Sequence, residues 1–203
     1  MSTMTSNRKL TLDDILDHRA YERIRAERRN EIIEVKRRRR LHLGTVVTVA
    51  FENRATMLNQ IHEMLRAEKV VNDDLVHEEL KAYNPLIPEA GQLSATLFIE
   101  LTSDDQMREW LPKLVGIERS IVLTLANGSQ VRCKVDEQHA EGLTRETVTA
   151  AVHYVRFDFT PAQVEQFAKG GVQLRCDHTN YLEAIELPDF TVTELLTDLR
   201  DDA

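Results

Sequence analysis

Hydrophobic and polar residues alternate along several short segments of the chain, and this alternation predicts β-strands. Both faces of residues 46–51 are largely apolar, which is typical of an interior strand in a covered sheet. Residues 93–101 place Leu, Ala and Ile on one face and a mixture of Ser, Thr, Phe and Glu on the other. A tight hairpin is expected at Asn127-Gly128, because this dipeptide readily adopts positive φ. The remaining strands are predicted at residues 121–125, 131–135, 148–159 and 172–177.

Apolar residues three and four positions apart predict helices between these strands. Thr11 and Asp14 form a capping-box-like start for a short helix, and a longer helix is expected over residues 21–40. Because no internal repeat or linker is present, we expect one α+β domain over residues 1–203. Its antiparallel or mixed sheet would be covered by helices, with residues 1–10 flexible. Further helices are predicted at residues 55–69, 73–83, 104–114, 161–169 and 191–200.

Composition restricts the class of protein. With 203 residues and 42% hydrophobic content the chain can bury a core, which excludes a disordered or fibrous protein. No apolar run is long enough to span a membrane and the first residues lack the layout of a secretory signal, so we expect a cytoplasmic protein with no membrane partner. Cys133 and Cys176 match neither a disulfide framework nor a zinc pair, which predicts buried, reduced thiols.

Charge is distributed unevenly and draws attention to the first long helix. The net charge is −8, yet residues 1–40 hold 12 basic and 7 acidic side chains. At about 100° per residue, Arg25 and Arg28 share the partly apolar helix face of Tyr21. A buried guanidinium stays charged and needs an anionic or carbonyl partner, so we expect a polar cluster beneath this helix. The other proposed members of the cluster are Glu52, Glu63, Glu68 and Glu100, together with Arg54 and Arg66.

The polar cluster has two interpretations. It is either an ion-pair network that holds helices against a sheet, or an anion or metal pocket built from surplus charge. The sequence assigns no metal site and no cofactor, since none of the seven histidines stands in a His-Glu-x-x-His or Cys/His zinc pattern. Asp136 and His139 fall in an expected loop, and His62 and His77 are expected to face solvent.

Two other features offer chemistry. Asp177, His178 and Tyr181 follow a predicted strand, and such a group could orient an imidazole for general base catalysis. Residues 36–40 form a basic run, but aromatic residues are not interleaved with it and the rest of the chain is acidic, so nucleic-acid binding is not favoured. The sequence contains no glycine-rich phosphate loop or nucleophile elbow.

Four long segments are distinctive: FENRATMLNQIHEMLRAEKV (51–70), ELKAYNPLIP (79–88), GQLSATLFIEL (91–101) and HYVRF (153–157). With these segments the chain resembles a bacterial family, domain of unknown function 3501. The resemblance extends over nearly the whole length and includes a Tyr-x-x-x-Arg opening at Tyr21 and Arg25, a basic stretch before Gly44, and the later Asp177-His178.

The resemblance implies a cytoplasmic protein of no established activity, and it supplies no catalytic residues. Members of the family are often encoded near rubrerythrin-like di-iron proteins and iron–sulfur oxidoreductases. This association implies a link to oxidative stress or electron transfer, with a partner of one of these two kinds. A homo-oligomer of the chain is also a candidate assembly.

Three functions are compatible with these features. The favoured one is a non-catalytic accessory or ligand-binding protein, whose polar cluster accepts an anion or docks a partner. The second is an enzyme for a small anionic substrate, with Glu63 or His178 as general base and Arg54 or Arg66 holding the substrate. The third is nucleic-acid binding through the basic run. The candidate ligand-binding residues are Arg25, Arg28, Glu52, Arg54, Gln60, Glu63, Arg66, Tyr83, Asn84 and Glu100.

Overall fold

The computed structural model describes residues 8–70, 72–135 and 147–200 of the 203-residue chain. Within these ranges the α-helices are α1 (His18–Arg39), α2 (Arg54–Ala67), α3 (Asp73–Tyr83), α4 (Asp104–Lys113), α5 (Pro161–Phe167) and α6 (Asp189–Leu199). The strands are β1 (Arg40–Leu43), β2 (Val47–Glu52), β3 (Gln92–Ile99), β4 (Ile121–Thr124), β5 (Gln130–Arg132), β6 (Lys134–Val135), β7 (Val152–Asp158), β8 (Gln173–His178) and β9 (Tyr181–Glu186). None of the helices described has the length and apolar content needed to cross a membrane.

Five strands form an antiparallel sheet in the order β1-β2-β3-β7-β6. Val49 pairs with Leu97, and both side chains are fully buried on the face that packs into the main core. The next row, Ala50, Thr96 and Tyr154, lies on the opposite face, because successive side chains of a strand alternate. This mixed face is covered in part by α1, α2 and a 3-10 turn after α3.

The second sheet is also antiparallel, in the order β5-β4-β8-β9. The turn at Asn127-Gly128 joins β4 to β5, and Gly128 has a φ of 82°. Its amide donates to the carbonyl of Leu125 at 2.8 Å. The predicted hairpin is therefore confirmed. The α+β fold is confirmed as well, with two antiparallel sheets where the sequence predicted one.

The main core contains side chains from both sheets and from the C-terminal helix. Phe51 and Phe157 have ring centroids 6.1 Å apart, and Leu195 of α6 is fully buried in the same cluster. Cys133 and Cys176 are free thiols in this core, as predicted. Burial raises the pKa of each thiol to about 11, so both remain protonated at neutral pH.

A second, smaller core joins the N-terminal segment to α2 and α3. Leu10 packs there with Ile61 and Leu80. The guanidinium of the buried Arg8 donates to the carbonyl oxygen of Asp198 at 2.7 Å. The prediction of a flexible N-terminus is therefore wrong for the residues from Arg8 onward, and the seven residues before it lie outside the described part of the chain.

Two strands are absent from the sequence prediction. The helix α1 begins at His18, capped by the Asp17 carboxylate, and gives way directly to β1 at Arg40 without a glycine or proline between them. The strand β9 has apolar side chains on both of its faces, and Leu182 remains 72% exposed. A short edge strand of this kind gives only a weak alternation signal.

The turn between β1 and β2 is fixed by a side chain from the second sheet. The hydroxyl of Tyr181 donates to the carbonyl of Leu43 at 2.7 Å and accepts from the amide of Val46 at 3.1 Å. Gly44 has a φ of 75°, and a Cβ at that position would lie 2.6 Å from Cγ of Glu183. Glycine is required here for both its conformation and its small size.

Candidate functional site

The face of α1 that carries Tyr21 meets α2 through one carboxylate. Tyr21 and Arg25 lie one helical turn apart and both reach Glu63. The Tyr21 hydroxyl donates to Oε1 of Glu63 at 2.7 Å, while Nε and Nη2 of Arg25 donate to the two carboxylate oxygens at 2.8 and 2.9 Å. Arg25 and then Tyr21 hold the pKa of Glu63 at about 2. Burial, and then Glu63, raise the pKa of Tyr21 to about 12.

Four other predicted members of the polar cluster form separate ion pairs with residues outside it. Each of these pairs joins different elements of the chain, apart from one within α1. The pairs are Arg66 with Glu22, Arg54 with Asp14, Arg40 with Glu100, and Arg28 with Glu31. The single cluster expected beneath the first helix therefore does not form.

Three members of the predicted cluster, one on α1, one at the end of α2 and one after β3, are exposed and do not join the group at Glu63. Arg28 lies about 20° around α1 from Tyr21, as the helical period predicts, and lines a cleft between α1 and α2. Its side chain is nevertheless exposed and pairs with Glu31 on the same helix. Glu68 is exposed at the end of α2. Glu100, just beyond the end of β3, accepts a hydrogen bond from the Thr48 hydroxyl at 2.6 Å.

Of the arginines in the described part of the chain, the most deeply buried is one that the site prediction omitted. Arg39, at the end of α1, is 1% exposed. Its Nη1 and Nη2 atoms donate to the two carboxylate oxygens of Asp198 at 2.6 and 3.1 Å, and its Nε donates to Glu194 at 3.0 Å. The helical period does place Arg39 on the Tyr21 face, but nothing in the sequence identifies its partners about 160 residues later. This group is structural.

The imidazole of His62 is buried, so the prediction that it faces solvent is wrong. Its ring stacks on Tyr21 with centroids 4.5 Å apart, and its Nε2 atom accepts a hydrogen bond from the amide of Leu16 at 3.0 Å. Burial, and then the charge of Arg28, lower the pKa of His62. The neutral ring, with its proton on Nδ1, is the form that fits this contact.

Protonation of His62 should therefore weaken the fold. A group with a lowered pKa in the folded state contributes stability above its unfolded pKa of about 6.5 and loses that contribution as the pH falls. We expect the free energy of unfolding to decrease between pH 7 and pH 5, and the decrease to be smaller in the variant His62→Gln. That variant should itself cost about 1 kcal/mol at pH 7, the usual worth of one hydrogen bond. Urea unfolding at several pH values measures both quantities, and His77→Gln, at an exposed position, is the control.

The predicted group around His178 does not assemble. Asp177 accepts hydrogen bonds from Arg132 and not from the imidazole. The nitrogens of His178 contact backbone groups: Nε2 lies 3.0 Å from the carbonyl of Val115, and Nδ1 accepts from the amide of Asn180 at 3.2 Å. The hydroxyl of Tyr181 is committed to the turn at Gly44. His139, with its predicted loop, lies outside the described residues.

A cleft opens on the mixed face of the first sheet, and we name it the Glu52 cleft. Its floor is formed by β2, β3 and β7, and its walls by the end of α1, by α2 and by the turn after α3. The volume is about 260 Å³. Its polar lining includes Lys36, Gln60, Glu52, Thr96, Tyr83 and Tyr154.

The carboxylate of Glu52 is the central polar group of this cleft. Its residue is 8% exposed, and Oε1 accepts a hydrogen bond from the Thr96 hydroxyl at 2.7 Å. Unlike Glu63, Asp198 and Glu194, Glu52 has no cationic partner among the described residues. Lys36, on the exposed rim, likewise forms no ion pair with a described residue.

Three of the predicted ligand-binding residues do come together here. Glu52, Gln60 and Tyr83 all line the cleft, and the Gln60 side chain lies near enough to the Tyr83 hydroxyl to lower the pKa of that phenol in part. Burial raises the pKa of Tyr83 and of Tyr154, and for Tyr154 the charges of Tyr83 and Glu52 add to the effect. The phenols are therefore neutral hydrogen-bonding groups beside the carboxylate.

The other predicted ligand-binding residues lie elsewhere. Asn84 is tied to the N-terminal segment, since its side chain accepts from the amide of Leu10 at 2.8 Å and donates to the carbonyl of the same residue at 2.9 Å. The sequence pattern did not mark Tyr154 or Thr96 as ligand-binding candidates, and it marked Lys36 only as part of the basic run at residues 36–40. Among the described residues no three His, Cys, Asp or Glu side chains lie close enough to hold a metal ion.

A family model for "Protein of unknown function (DUF3501)" matches residues 9–199. The chain belongs to this family. It is also similar to a solved structure, a "novel protein of unknown function" from Burkholderia pseudomallei K96243, with 35% sequence identity and a TM-score of 0.87. That match covers 95% of this chain and 100% of the other. Comparison with curated proteins gives no match.

Membership of the DUF3501 family confirms the resemblance inferred from the sequence. The B. pseudomallei protein is likewise described as being of unknown function, so neither comparison assigns an activity.

Proposed function

We propose that the protein binds a small polar ligand in the Glu52 cleft and acts through binding and not through catalysis. A single observation carries this proposal: a carboxylate that is nine-tenths buried faces a cavity and has no cationic partner among the described residues. Removing a charge from water costs several kcal/mol unless a partner compensates it. A ligand with a complementary group would supply that partner.

The lining of the cleft suits a small molecule. Apolar and aromatic side chains, among them Phe98, Met57 and Leu86, surround a few polar groups, which is the usual composition of a ligand pocket. A volume of about 260 Å³ is slightly below the range of drug-sized pockets. The ligand is therefore expected to be smaller than a typical drug.

The structure argues against the enzyme alternative, because both of its proposed general bases are already engaged by other groups. A pKa of about 2 makes Glu63 a poor proton acceptor at neutral pH, and its carboxylate is already occupied by Arg25 and Tyr21. His178 is held by backbone groups. Arg54 and Arg66 are neutralised by Asp14 and Glu22, which argues against an anion pocket built from them.

The rubrerythrin-like or iron–sulfur partner and the link to oxidative stress remain predictions that rest on the sequence resemblance. The Glu52 cleft is compatible with an accessory role in such a system, because a ligand-dependent protein can act by changing its affinity for a partner. Co-purification of either partner with the chain, in a ligand-dependent manner, is the measurement that would support this role.

A thermal-shift screen tests the proposed cleft. Amino acids, amines, carboxylates, sugars and nucleosides are each added in excess to the wild type and to two variants. Ala50→Leu narrows the cleft, whereas Ala184→Leu makes the same change at an exposed strand position outside it. At least one class should raise the melting temperature of the wild type and of Ala184→Leu but not of Ala50→Leu. The proposal fails if no class does so, or if Ala50→Leu responds as the wild type does.

A further inference from the structure

We infer that the ligand of the Glu52 cleft is a small zwitterion, with a cationic group at Glu52, an anionic group at Lys36 and an apolar body between them. This inference rests on the proposed function and specifies the chemical class of the ligand. It is carried by two opposite charges, both without ion-pair partners among the described residues, at different depths of one cleft.

The deep end of the cleft selects a cation. The Thr96 hydroxyl donates one hydrogen bond to Oε1 of Glu52. A neutral hydroxyl cannot compensate the charge of a buried carboxylate. Gln60 and the two phenols add neutral hydrogen-bonding atoms beside it. An ammonium or guanidinium group would both pair with the carboxylate and donate to these acceptors.

The rim of the cleft selects an anion. Three basic residues line this end, but the guanidinium of Arg39 is neutralised by Asp198 and Glu194, and that of Arg40 by Glu100. Lys36 is therefore the basic side chain whose charge is available to a ligand among the described residues of the cleft. Its exposed ammonium would attract a carboxylate or a phosphate.

Much of the remaining surface of the cleft is apolar. Phe98, Met57 and Leu86 contribute to it together with the rings of Tyr83 and Tyr154. A ligand that only carried charge, such as a short polyamine, would leave these surfaces in contact with water and would meet repulsion from Lys36. A hydrophobic or aromatic body would remove these surfaces from water, which favours binding.

A charge-matched series of probes tests the inference. L-phenylalanine, 2-phenylethylamine and 3-phenylpropionate share an aromatic body and differ in carrying both charges, the cation alone or the anion alone. Their dissociation constants are measured by calorimetry with the wild type, Glu52→Gln and Lys36→Met. Matched controls are Glu109→Gln and Lys169→Met, which change exposed side chains outside the cleft. Urea unfolding of every variant verifies that it folds.

Phenylalanine should bind the wild type more tightly than either relative. Glu52→Gln should weaken the binding of phenylalanine and of phenylethylamine about tenfold or more, since a buried charged hydrogen bond is lost. The same variant should bind phenylpropionate as tightly as the wild type does, or more tightly. Lys36→Met should weaken the binding of phenylalanine and of phenylpropionate about threefold, as expected for the loss of an exposed charge at the rim. It should strengthen the binding of phenylethylamine, which carries only a positive charge. The control variants should bind all three probes as the wild type does.

Several results would overturn the inference. If phenylpropionate binds best, or if Glu52→Gln weakens the binding of all three probes equally, then Glu52 does not bind a cationic group of the ligand as inferred. If Lys36→Met lowers the free energy of unfolding without altering any binding constant, Lys36 serves as an internal partner of Glu52. These failures differ from failure of the proposed function, because the screen with Ala50→Leu can still identify another class of ligand in the same cleft.

Discussion

Replacing Arg39 with methionine is expected to lower the free energy of unfolding by about 3–5 kcal/mol, more than the loss of Glu63 or of His62. Arg39 joins the end of α1 to α6 through Asp198 and Glu194. Without the guanidinium, the carboxylate of Asp198 would remain buried with its main charge partner removed. Burial already raises the pKa of Asp198, which shows how unfavourable the desolvated charge is in this position.

The measurement is urea unfolding at pH 7, with Arg37→Met as the matched control. Arg37 lies on the same helix, pairs with Glu34 and is 72% exposed, so its loss should change stability by less than about 0.5 kcal/mol. The double variant Arg39→Met with Asp198→Leu should recover part of the loss, because it removes both buried charges. Equal stability of Arg39→Met and Arg37→Met would contradict this account of how α1 and α6 are joined.

The second prediction concerns Glu63, whose contribution to stability should disappear in acid. Its pKa is about 2 in the folded protein and 4.5 in the reference state, so the carboxylate stabilises the fold above about pH 4.5. That stabilisation should be lost progressively as the pH falls toward 2. Because water screens part of the interaction at this half-buried site, we expect about 1–2 kcal/mol.

The variant Glu63→Gln isolates this contribution. It should be less stable than the wild type by about 1–2 kcal/mol at pH 7, and the difference should shrink toward zero as the pH approaches 2. Glu109→Gln, in an exposed pair with Lys113, is the control and should show a difference near zero throughout. A Glu63→Gln difference that is independent of pH would mean that packing, and not the charge, accounts for the loss.

The regular elements of the fold follow from local sequence patterns. Amphipathic spacing predicts all six of the α-helices described, to within about three residues at each end, and the Asn127-Gly128 hairpin follows from turn chemistry alone. Edge strands are harder: β1 continues directly from a helix, and β9 carries exposed Leu182. Their pairing depends on Tyr181 and the turn at Gly44, which are distant in sequence.

The candidate site shows the same division between local and distant information. The four-residue spacing of Tyr21 and Arg25 predicts that both side chains share a face, and Glu63 is among the partners proposed for that face. Which carboxylate pairs with which arginine depends on how the helices pack against one another. The spacing of residues along the sequence does not specify this packing. This is why the partner of Arg28 is not predicted and Arg39 is missed.

Glu52 illustrates what a sequence cannot provide. Its position on an interior strand marks Glu52 as a candidate polar residue. Glu52 is singled out as a ligand-binding group because no cation pairs with it among the described residues around the cleft. Every other acid in the proposed cluster that is buried or half-buried has an arginine partner. That contrast becomes visible only when all the pairs have been located in three dimensions.

The most direct test of the Glu52 cleft is a crystal structure of the protein grown with L-phenylalanine. We predict that the ammonium group lies about 2.7–3.2 Å from the Glu52 carboxylate, with the ring against Phe98 and the ligand carboxylate toward Lys36. A cleft that contains only water at saturating phenylalanine, or a ligand bound with its carboxylate beside Glu52, would contradict the account.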